Sequence, residues 1–324
     1  MIHLYSASEL LDWIEPPWLI TDHFHEKELV LLYGPPGSGK SFLALDWGLH
    51  IASGLPWLDR FPVAHGPVLY LAGEGAASLQ KRLAAWCSAH QVSAHRLGAY
   101  FQCRSLSLRN PDTLTQLQQA FIDTPILDEY REPIEAGIEP SLIIVDTLSQ
   151  FFGGGDENGS DMTQFVDNLR NLGQSLEWSC TILILHHTNK SGLSERGHTS
   201  LRGNIDTAFR CDAVLEDHKL VGLTLKNDKQ RDSAHVAPLV LRTVSHEKSL
   251  VLQAAPIGSP KVEAVYQLVK DHPGLREAAL IELAETHAVC SRRTVQSAID
   301  YWVKIGKIVE QNHQFWSHDA VKLV

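Results

Sequence analysis

The residues best suited to chemistry form one glycine-rich loop near the start of the chain. Residues 34–41 read GPPGSGKS, a complete G-x-x-x-x-G-K-[ST] pattern, with an apolar run before it and helical periodicity after it. Such glycines let backbone N–H groups turn toward phosphate oxygens, and the following helix adds the positive end of its dipole. Lys40 would reach the β- and γ-phosphates, and the Ser41 hydroxyl would complete a magnesium shell. The loop predicts a nucleoside triphosphate site formed by Gly34, Pro35, Pro36, Gly37, Ser38, Gly39, Lys40, Ser41 and Phe42. The alternative is a glycine-rich turn between a strand and a helix that binds no ligand, but such a turn matches the eight-position pattern by accident only rarely.

Two carboxylates near later apolar runs are candidates for binding magnesium and for activating water at the bound nucleotide. One run ends in Asp146, which suits an acid that holds the magnesium water shell opposite Ser41. Thr147 follows, so no second carboxylate stands beside Asp146 to activate water. Glu74 is the best candidate for that base, because ligands of parallel sheets bind at the carboxyl ends of the strands. Either acid could instead be an ordinary turn residue.

A pair of histidines ends a further apolar run, 181–185. His186 or His187 would lie where a γ-phosphate sensor belongs, and could hydrogen-bond the phosphate or Glu74 to report hydrolysis. Neighbouring residues of a strand point to opposite faces, so the pair is not expected to share a zinc ion. A structural role is the alternative for a single histidine, but two at one sheet edge favour function.

Cations gather in two later segments of the chain. Residues 189–202 are polar and end in Arg202, which predicts either a nucleic-acid contact loop or a plain surface loop. Lys226, Lys229 and Arg231 follow another apolar run. Cations there could reach the γ-phosphate of a neighbouring subunit and stabilise charge that develops in the transition state. A charged β-turn is the alternative.

The order of apolar runs predicts the elements that bring these residues together. The runs are separated by longer helical or mixed segments, which is typical of a parallel sheet covered by helices. They lie at 29–33, 67–72, 141–146, 180–186 and 221–226. Shorter pieces at 213–216, 220–225, 236–243 and 249–253 predict antiparallel strands that extend the sheet. We therefore expect an α/β fold with a mostly parallel sheet, flanking helices and added antiparallel strands.

A small, turn-rich stretch after residue 254 predicts a linker and a second domain. The expected divisions are an N-terminal segment 1–25, a main domain 26–254, a linker 255–260 and a C-terminal domain 261–324. The C-terminal domain should hold helices and then a strand pair, at 261–271, 276–287, 292–305 and 307–316. Three helices followed by a hairpin are typical of a winged helix-turn-helix domain.

Composition and charge argue against several classes of protein, namely bulk nucleic-acid binders, exported proteins and membrane proteins. The 324 residues are 44% hydrophobic with a formal net charge of −10, which argues against binding nucleic acid by bulk attraction. Five cysteines without a C-x-x-C pair indicate reduced core thiols and a cytoplasmic protein. The first residues lack a basic-then-apolar leader, and no apolar run approaches about 18 residues, so neither an export signal nor a membrane span is expected.

The order of these motifs resembles the RecA-like ATPases, in particular the plasmid RepA-type hexameric replicative helicases, over roughly residues 16–245. The N-terminal part is also similar to ATPases carried by phages, prophages and plasmids. The resemblance implies a ring, commonly of six subunits, with ATP and Mg2+ between neighbours. It also implies Glu74 as the base, His187 as the sensor, and arginine or lysine fingers supplied in trans. Candidates for the finger remain Arg202, Arg210, Lys229 and Arg231, of which the first two match the family's segment after the sensor.

The C-terminal domain departs from the smaller members of that family. Residues 261–324 hold eight basic and eight acidic residues, whereas a DNA-binding winged helix is usually basic. Arg292 and Arg293 open the third helix, where DNA contacts would fall. Docking of a replication protein is the alternative role for this domain.

The leading functional hypothesis is an oligomeric ATPase motor that moves on single-stranded DNA during replication of a plasmid, phage or other mobile element. The resemblance implies that the oligomer is a hexamer. The alternative is a nucleotide-switched DNA-binding regulator or loader with slow hydrolysis. A metabolic kinase fits less well, because no acceptor site is recognisable beyond the phosphate loop.

Overall fold

The chain folds into two compact units, Met1–Gln253 and Ala254–Val324. The computed structural model describes residues 5–12, 15–73, 75–127, 133–135, 137–156, 159–175, 180–188, 199–216, 218–255, 260–287, 289–304, 308–311 and 313–317. Three features of the sequence lie outside these ranges, wholly or in large part: Glu74, the polar segment that precedes Thr199, and the predicted linker.

A nine-stranded sheet forms the centre of the first unit. The strands of this unit are β1 (Trp18–Ile20), β2 (Phe24–His25), β3 (Leu29–Gly34), β4 (Val68–Ala72), β5 (Ala99–Gln102), β6 (Ile126–Leu127), β7 (Pro133–Glu135), β8 (Leu142–Asp146), β9 (Thr181–His187), β10 (Thr207–Glu216), β11 (Lys219–Gln230), β12 (Leu239–His246) and β13 (Ser249–Ala254). The large sheet has the order β13-β12-β11-β10-β3-β9-β8-β4-β5, while β1 pairs with β2 and β6 with β7.

The sheet is parallel from β10 to β5 and becomes antiparallel from β10 through β11 to β12. The predicted α/β fold class, a mostly parallel sheet with added antiparallel strands, is therefore confirmed. The run 221–226, which overlaps the predicted antiparallel piece 220–225, lies in β11, antiparallel to β10 as that prediction expected. Strand β10 begins at Thr207, well before the expected 213. Its first half was not predicted, because Arg210 and Asp212 interrupt the apolar pattern.

Helices cover both faces of the large sheet. Those of the first unit are α1 (Ala7–Leu11), α2 (Lys40–Ser53), α3 (Ala76–His90), α4 (Pro111–Asp123), α5 (Leu148–Phe151), α6 (Ser160–Ser175) and α7 (Thr199–Asn204), with a 3-10 turn at Ala94–Arg96. On one face, which we call the α2 face, Val30 and Leu32 pack with Trp47. On the other, the α6 face, Leu31 packs with Phe165. Burial on both faces explains why the central strands are continuous apolar runs.

The segment before β3 contributes to the same core. Leu19 and Ile20 of β1 and Phe24 of β2 have no exposed surface and belong to the cluster on the α2 face. Residues 18–25 are thus packed parts of the first unit, next to the strand that leads into the phosphate loop.

The second unit has a hydrophobic core of its own. It contains α8 (Pro260–Asp271), β14 (Leu275–Arg276), α9 (Glu277–Thr286), α10 (Arg292–Lys304), β15 (Ile308–Gln311) and β16 (Gln314–Ser317). The strands form a sheet in the order β14-β16-β15, and Val265, Leu280 and Trp302 lie in the core. The three helices match their predicted bounds to within one residue. The short strand β14 was not predicted, because two residues carry no readable pattern.

All five cysteines lie within the described residues, and none of them forms a disulfide. Cys180, Cys211 and Cys290 are buried and Cys87 is half-buried, but Cys103 is exposed, so the expectation of core thiols fails at that position. Within the described part of the chain, no helix combines the length and the apolar character that a membrane crossing requires.

The buried carboxyl group of Glu28, which directly precedes β3, leads to a prediction for the pH dependence of stability. Burial raises the pKa of Glu28 to about 7, and the carboxylates of Asp206 and Asp232 act in the same direction. The unfolded chain loses this proton near pH 4.5 while the folded chain keeps it, so the free energy of unfolding falls as pH rises from about 4.5 to 7. We expect Glu28→Gln to stabilise the protein by about 1–3 kcal/mol at pH 8 and much less at pH 5.

Urea unfolding at the two pH values measures this difference. Glu139→Gln is the matched control, because Glu139 is exposed in the same unit. An equal effect of Glu28→Gln at pH 5 and pH 8 would contradict the raised pKa.

Candidate nucleotide-binding and catalytic site

The phosphate loop joins the end of β3 to the start of α2. Gly37 and Gly39 have φ values of 75° and 90°, which residues with a side chain adopt rarely. Gly34 has no room for a side chain, since an added Cβ would lie 2.0 Å from the Cys211 carbonyl oxygen on β10. The buried Cys211 thiol also donates a hydrogen bond to the Ser38 carbonyl oxygen at 3.1 Å. The adjacent strand β10 therefore supports the loop from behind, a role that sequence reasoning did not give to Cys211.

Lys40 lies inside the loop. Its Nζ donates hydrogen bonds to the carbonyl oxygens of Gly34 at 2.9 Å and Pro35 at 2.8 Å, and it lies 3.5 Å from Ser38 Oγ. Burial lowers the pKa of Lys40, and the nearby Asp146 carboxylate opposes that change. The ammonium is thus held at the centre of the loop, where an incoming phosphate would meet it.

The loop and helix fit the phosphates of a nucleotide. Helix α2 has 14 residues, and its N-cap, Gly39, provides no side-chain cap. The backbone N–H groups at its start are therefore directed toward the loop, with the positive end of the helix dipole. Ser41 and Asp146 offer oxygen atoms of the kind that Mg2+ prefers, and the ion would supply positive charge against the phosphate oxygens.

Tyr70 connects the two residues predicted to hold magnesium. Its hydroxyl donates a hydrogen bond to Asp146 Oδ2 at 2.5 Å. Burial and the Asp146 charge keep the pKa of Tyr70 well above its ordinary value, while a hydrogen bond with the Ser41 side chain acts in the opposite direction. The sequence did not indicate a role for Tyr70, because a tyrosine within an apolar strand is typical of the hydrophobic core.

The register of the strands separates the two histidines. His187 pairs with Gly34 at the start of the phosphate loop, and the Thr188 N–H donates to the Gly34 carbonyl oxygen at 3.2 Å. His187 alternates with Leu185 and Leu183, so it belongs to the α2 face together with Asp146. His186 is 1% exposed and pairs with Tyr33 on the α6 face. Of the two predicted sensors, His187 has the position beside the loop.

Glu74 lies outside the described residues, but its chain neighbours are described. The Gly73 N–H donates to the Asp146 carbonyl oxygen at 2.8 Å, and Ala72 pairs with Asp146 in the sheet. Gly75, with φ 75°, forms the N-cap of α3. The residues on either side of Glu74 are therefore at the carboxyl edge of the sheet, next to Asp146.

Two of the candidate cations are engaged away from the phosphate loop. Lys229 Nζ donates to the carbonyl oxygens of Arg202 at 2.8 Å and Ile205 at 2.6 Å, and burial lowers its pKa. Arg231 pairs with the Asp206 carboxylate. Because β11 runs antiparallel to β10 and β3, these residues lie toward the amino end of β3, opposite the loop.

Arg210 and Lys226 lie nearer the loop, whereas the backbone of Arg202, on α7, is at the amino end of β3, where its carbonyl oxygen accepts from Lys229. Arg210 pairs with Tyr33 across the sheet and forms a two-point ion pair with Asp212, with Nε 2.7 Å and Nη2 3.0 Å from the carboxylate oxygens. Lys226 pairs with Arg210 in the sheet and lies 3.0 Å from Asp228. Its side chain is 60% exposed. The structure thus divides the candidates into two groups rather than bringing them together.

Phe42, the last residue of the predicted loop site, packs against α3. The guanidinium of Arg82 lies 4.1 Å from the centroid of the Phe42 ring. This contact links the first turn of α2 to the helix that follows Gly75.

The fold and the phosphate loop together define a P-loop ATPase. A protein-family model described as an AAA domain, a P-loop ATPase family with a RecA-like fold, matches residues 13–192, more than half of the chain. The chain belongs to this AAA domain family. Its P-loop ATPase character, and with it nucleotide binding, follows from that membership.

A second family model matches the other end of the chain. Residues 277–324 are similar to the ParD-like antitoxin of type II bacterial toxin-antitoxin systems. The matched region begins with α9 and includes α10 and the β15–β16 hairpin.

The contact between Tyr70 and Asp146 gives a prediction for magnesium use. Tyr70→Phe removes the hydroxyl that orients the carboxylate, and a hydrogen bond to a charged group contributes about 1.5–3 kcal/mol, or roughly 10–100-fold. We expect the Mg2+ concentration for half-maximal ATP hydrolysis to rise by about 10-fold or more, with little change in metal-free nucleotide binding. Tyr100→Phe, on the neighbouring strand β5, is the control. An unchanged Mg2+ dependence in Tyr70→Phe would show that the hydroxyl does not position Asp146.

Proposed function

We propose that this protein is an ATP-hydrolysing motor that acts on DNA as an oligomer, and that it is a replicative helicase of the RepA type from a mobile element. The observation that carries the proposal is the set of polar residues at one sheet edge: Lys40 in the loop, Asp146 with Tyr70, and His187 paired with Gly34. This set supports ATP turnover.

Each residue has one role in this proposal. Lys40 binds the β- and γ-phosphates, and Ser41 and Asp146 hold Mg2+ directly or through its waters. Glu74 accepts the proton of the attacking water. His187 contacts the γ-phosphate region and transmits its loss to the chain that follows, residues 189–202, which would meet single-stranded DNA.

Lys226 is the cation that we favour as the finger supplied to a neighbouring subunit, and the resemblance adds Arg202 and Arg210. Lys226 is the more exposed, whereas Lys229 and Arg231 are engaged by acceptors of their own chain. A finger must leave its own chain's partners to reach a phosphate, so an exposed ammonium that, among the described residues, pairs with one carboxylate is the better candidate. The proposal requires an oligomer, for which a ring of six is the form that the resemblance suggests.

A nucleotide-switched regulator or loader is the second candidate function. The second unit favours it, because its described elements have the order of a winged helix and its C-terminal part is similar to an antitoxin, a protein named for its action on a toxin. Arg292 and Arg293 are exposed at the start of α10, where they could contact DNA, and the balanced charge of the region also suits a protein partner such as a replication protein.

Strand displacement on a forked DNA substrate separates the two functions. The motor predicts ATP-dependent release of the labelled strand by the full chain, and none by a Lys40→Ala variant. A sequence-specific footprint on duplex DNA without strand release, at protein concentrations that saturate the fork, would favour the regulator and contradict the motor.

A further inference from the structure

Three side chains far along α2 and α3 from the phosphate loop form a cluster of metal-ligating groups. Asp46 and His50 belong to α2, and His90 is the last residue of α3. One ligand atom from each lies within 4.8 Å of the others. The three residues take no part in the nucleotide site, so the cluster needs its own explanation.

The imidazole of His50 is oriented by its own helix. Its Nδ1 lies 2.8 Å from the Asp46 carbonyl oxygen, which can only accept, so Nδ1 carries the proton. The lone pair of His50 is therefore on Nε2. A backbone carbonyl that accepts from one ring nitrogen while the other binds an ion is a common arrangement around metal-ligating histidines.

The Asp46 carboxylate is buried and is oriented by two tryptophans. Trp57 Nε1 donates to Oδ2 at 2.8 Å, and Trp86 Nε1 donates to Oδ1 at 3.0 Å. Asp46 is 3% exposed, and its Oδ1 lies 3.6 Å from His50 Nδ1. A nearby cation would stabilise a buried carboxylate whose hydrogen-bond donors are neutral.

The two imidazoles have the separation that a shared ion requires. Their ring centroids are 4.9 Å apart at an interplanar angle of 83°. Rings that bind one tetrahedral ion through nitrogens about 2.1 Å from it have centroids about 5 Å apart. The Trp86 ring stacks on His90 at 4.3 Å, which fixes the second imidazole. Burial and the neighbouring His50 lower the pKa of His90, while the Asp46 carboxylate opposes that change.

We propose that Asp46, His50 and His90 bind a divalent transition metal of the Zn2+ type. Two imidazoles and one carboxylate suit Zn2+ or Co2+ better than Mg2+, and three protein ligands leave a fourth position for water. The ion would join the C-terminal half of α2 to the end of α3. Because α2 begins at Lys40 and α3 follows Gly75, it would fix two helices that both start at the nucleotide site.

Cobalt absorption spectroscopy tests the site on the full chain. The protein is stripped with a chelator and dialysed into millimolar Mg2+, which occupies the oxygen ligands of the phosphate loop. Titration with Co2+ should then give visible bands of a four- or five-coordinate ion, saturating at one equivalent and lost on addition of Zn2+. One equivalent of Zn2+ should also raise the Tm.

Variants identify the ligands. His90→Gln should weaken Co2+ binding by at least 10-fold and remove the Zn2+-dependent rise in Tm, while His95→Gln, an exposed histidine beyond α3, should behave as wild type. Asp46→Asn, which keeps the shape of the side chain, serves as a second ligand variant. The stripped variants are compared with stripped wild type by circular dichroism. Absence of the visible bands in wild type, or equal Co2+ binding by wild type and His90→Gln, would overturn the proposal.

Discussion

Replacing Lys40 with alanine is expected to abolish ATP turnover and to weaken nucleotide binding by about 100-fold or more. The ammonium lies within hydrogen-bond distance of the loop's own oxygens, and it is the positive side chain at the centre of the cradle. A charge-assisted contact with phosphate in a water-poor site contributes several times the energy of an ordinary hydrogen bond. Equilibrium binding of a fluorescent ATP analogue and steady-state phosphate release measure the two effects.

The matched control for this change is Lys81→Ala. Lys81 is an exposed lysine on α3, so its loss alters the net charge equally without touching the loop. Because Lys40 also bonds to Gly34 and Pro35 in the ligand-free chain, the Tm of Lys40→Ala should be measured beside its binding. Retention of turnover by a folded Lys40→Ala variant would contradict the assignment of the site.

Replacing Glu74 with glutamine is expected to preserve nucleotide binding and to reduce hydrolysis by about 100- to 10,000-fold. Glutamine keeps the size of the side chain but cannot accept the proton of the attacking water. Of its described neighbours, Gly73 donates its N–H to the Asp146 carbonyl oxygen and Gly75 forms the N-cap of α3. Single-turnover hydrolysis with saturating ATP separates this effect from binding.

Glu139→Gln is the control for the change of charge, since Glu139 is exposed. The binding constant of Glu74→Gln should equal that of wild type within a few-fold. Wild-type turnover in Glu74→Gln would remove Glu74 from its role and would require another base in the site.

The sequence predicted best those features that depend on local patterns. The phosphate loop is a continuous stretch with its own strand and helix, and the buried strands are apolar runs because both faces of the sheet are covered. Asp146 was found because it ends such a run. Strand β5 was missed, since its four residues are only half-buried and lack a clear alternation.

Contacts between distant parts of the chain could not be predicted in the same way. Tyr70 meets Asp146 across 76 residues of sequence, and Cys211 lies beneath the loop 173 residues after Ser38. Neither residue type carries a signal for such a role. The choice between His186 and His187 also needed the strand register, because both end the same apolar run.

The candidate cations show a further limit of sequence reasoning. Lys226 and Lys229 are three positions apart on one strand, yet one is largely exposed and the other is held by two carbonyl oxygens. Both lysines carry the same charge and lie at the end of the same apolar run, so the sequence does not distinguish them. The difference comes from the position of α7, whose end supplies carbonyl oxygens to Lys229. The role of Lys226 as a finger in trans stays a proposal.

The most direct test of the central claim is steady-state ATP hydrolysis by the full chain, with and without single-stranded DNA, on protein whose mass in solution is determined with and without nucleotide. The proposed motor predicts strong stimulation by DNA in a species of several subunits that forms or tightens with ATP. Unstimulated turnover in a species of the same small mass under all conditions would contradict it.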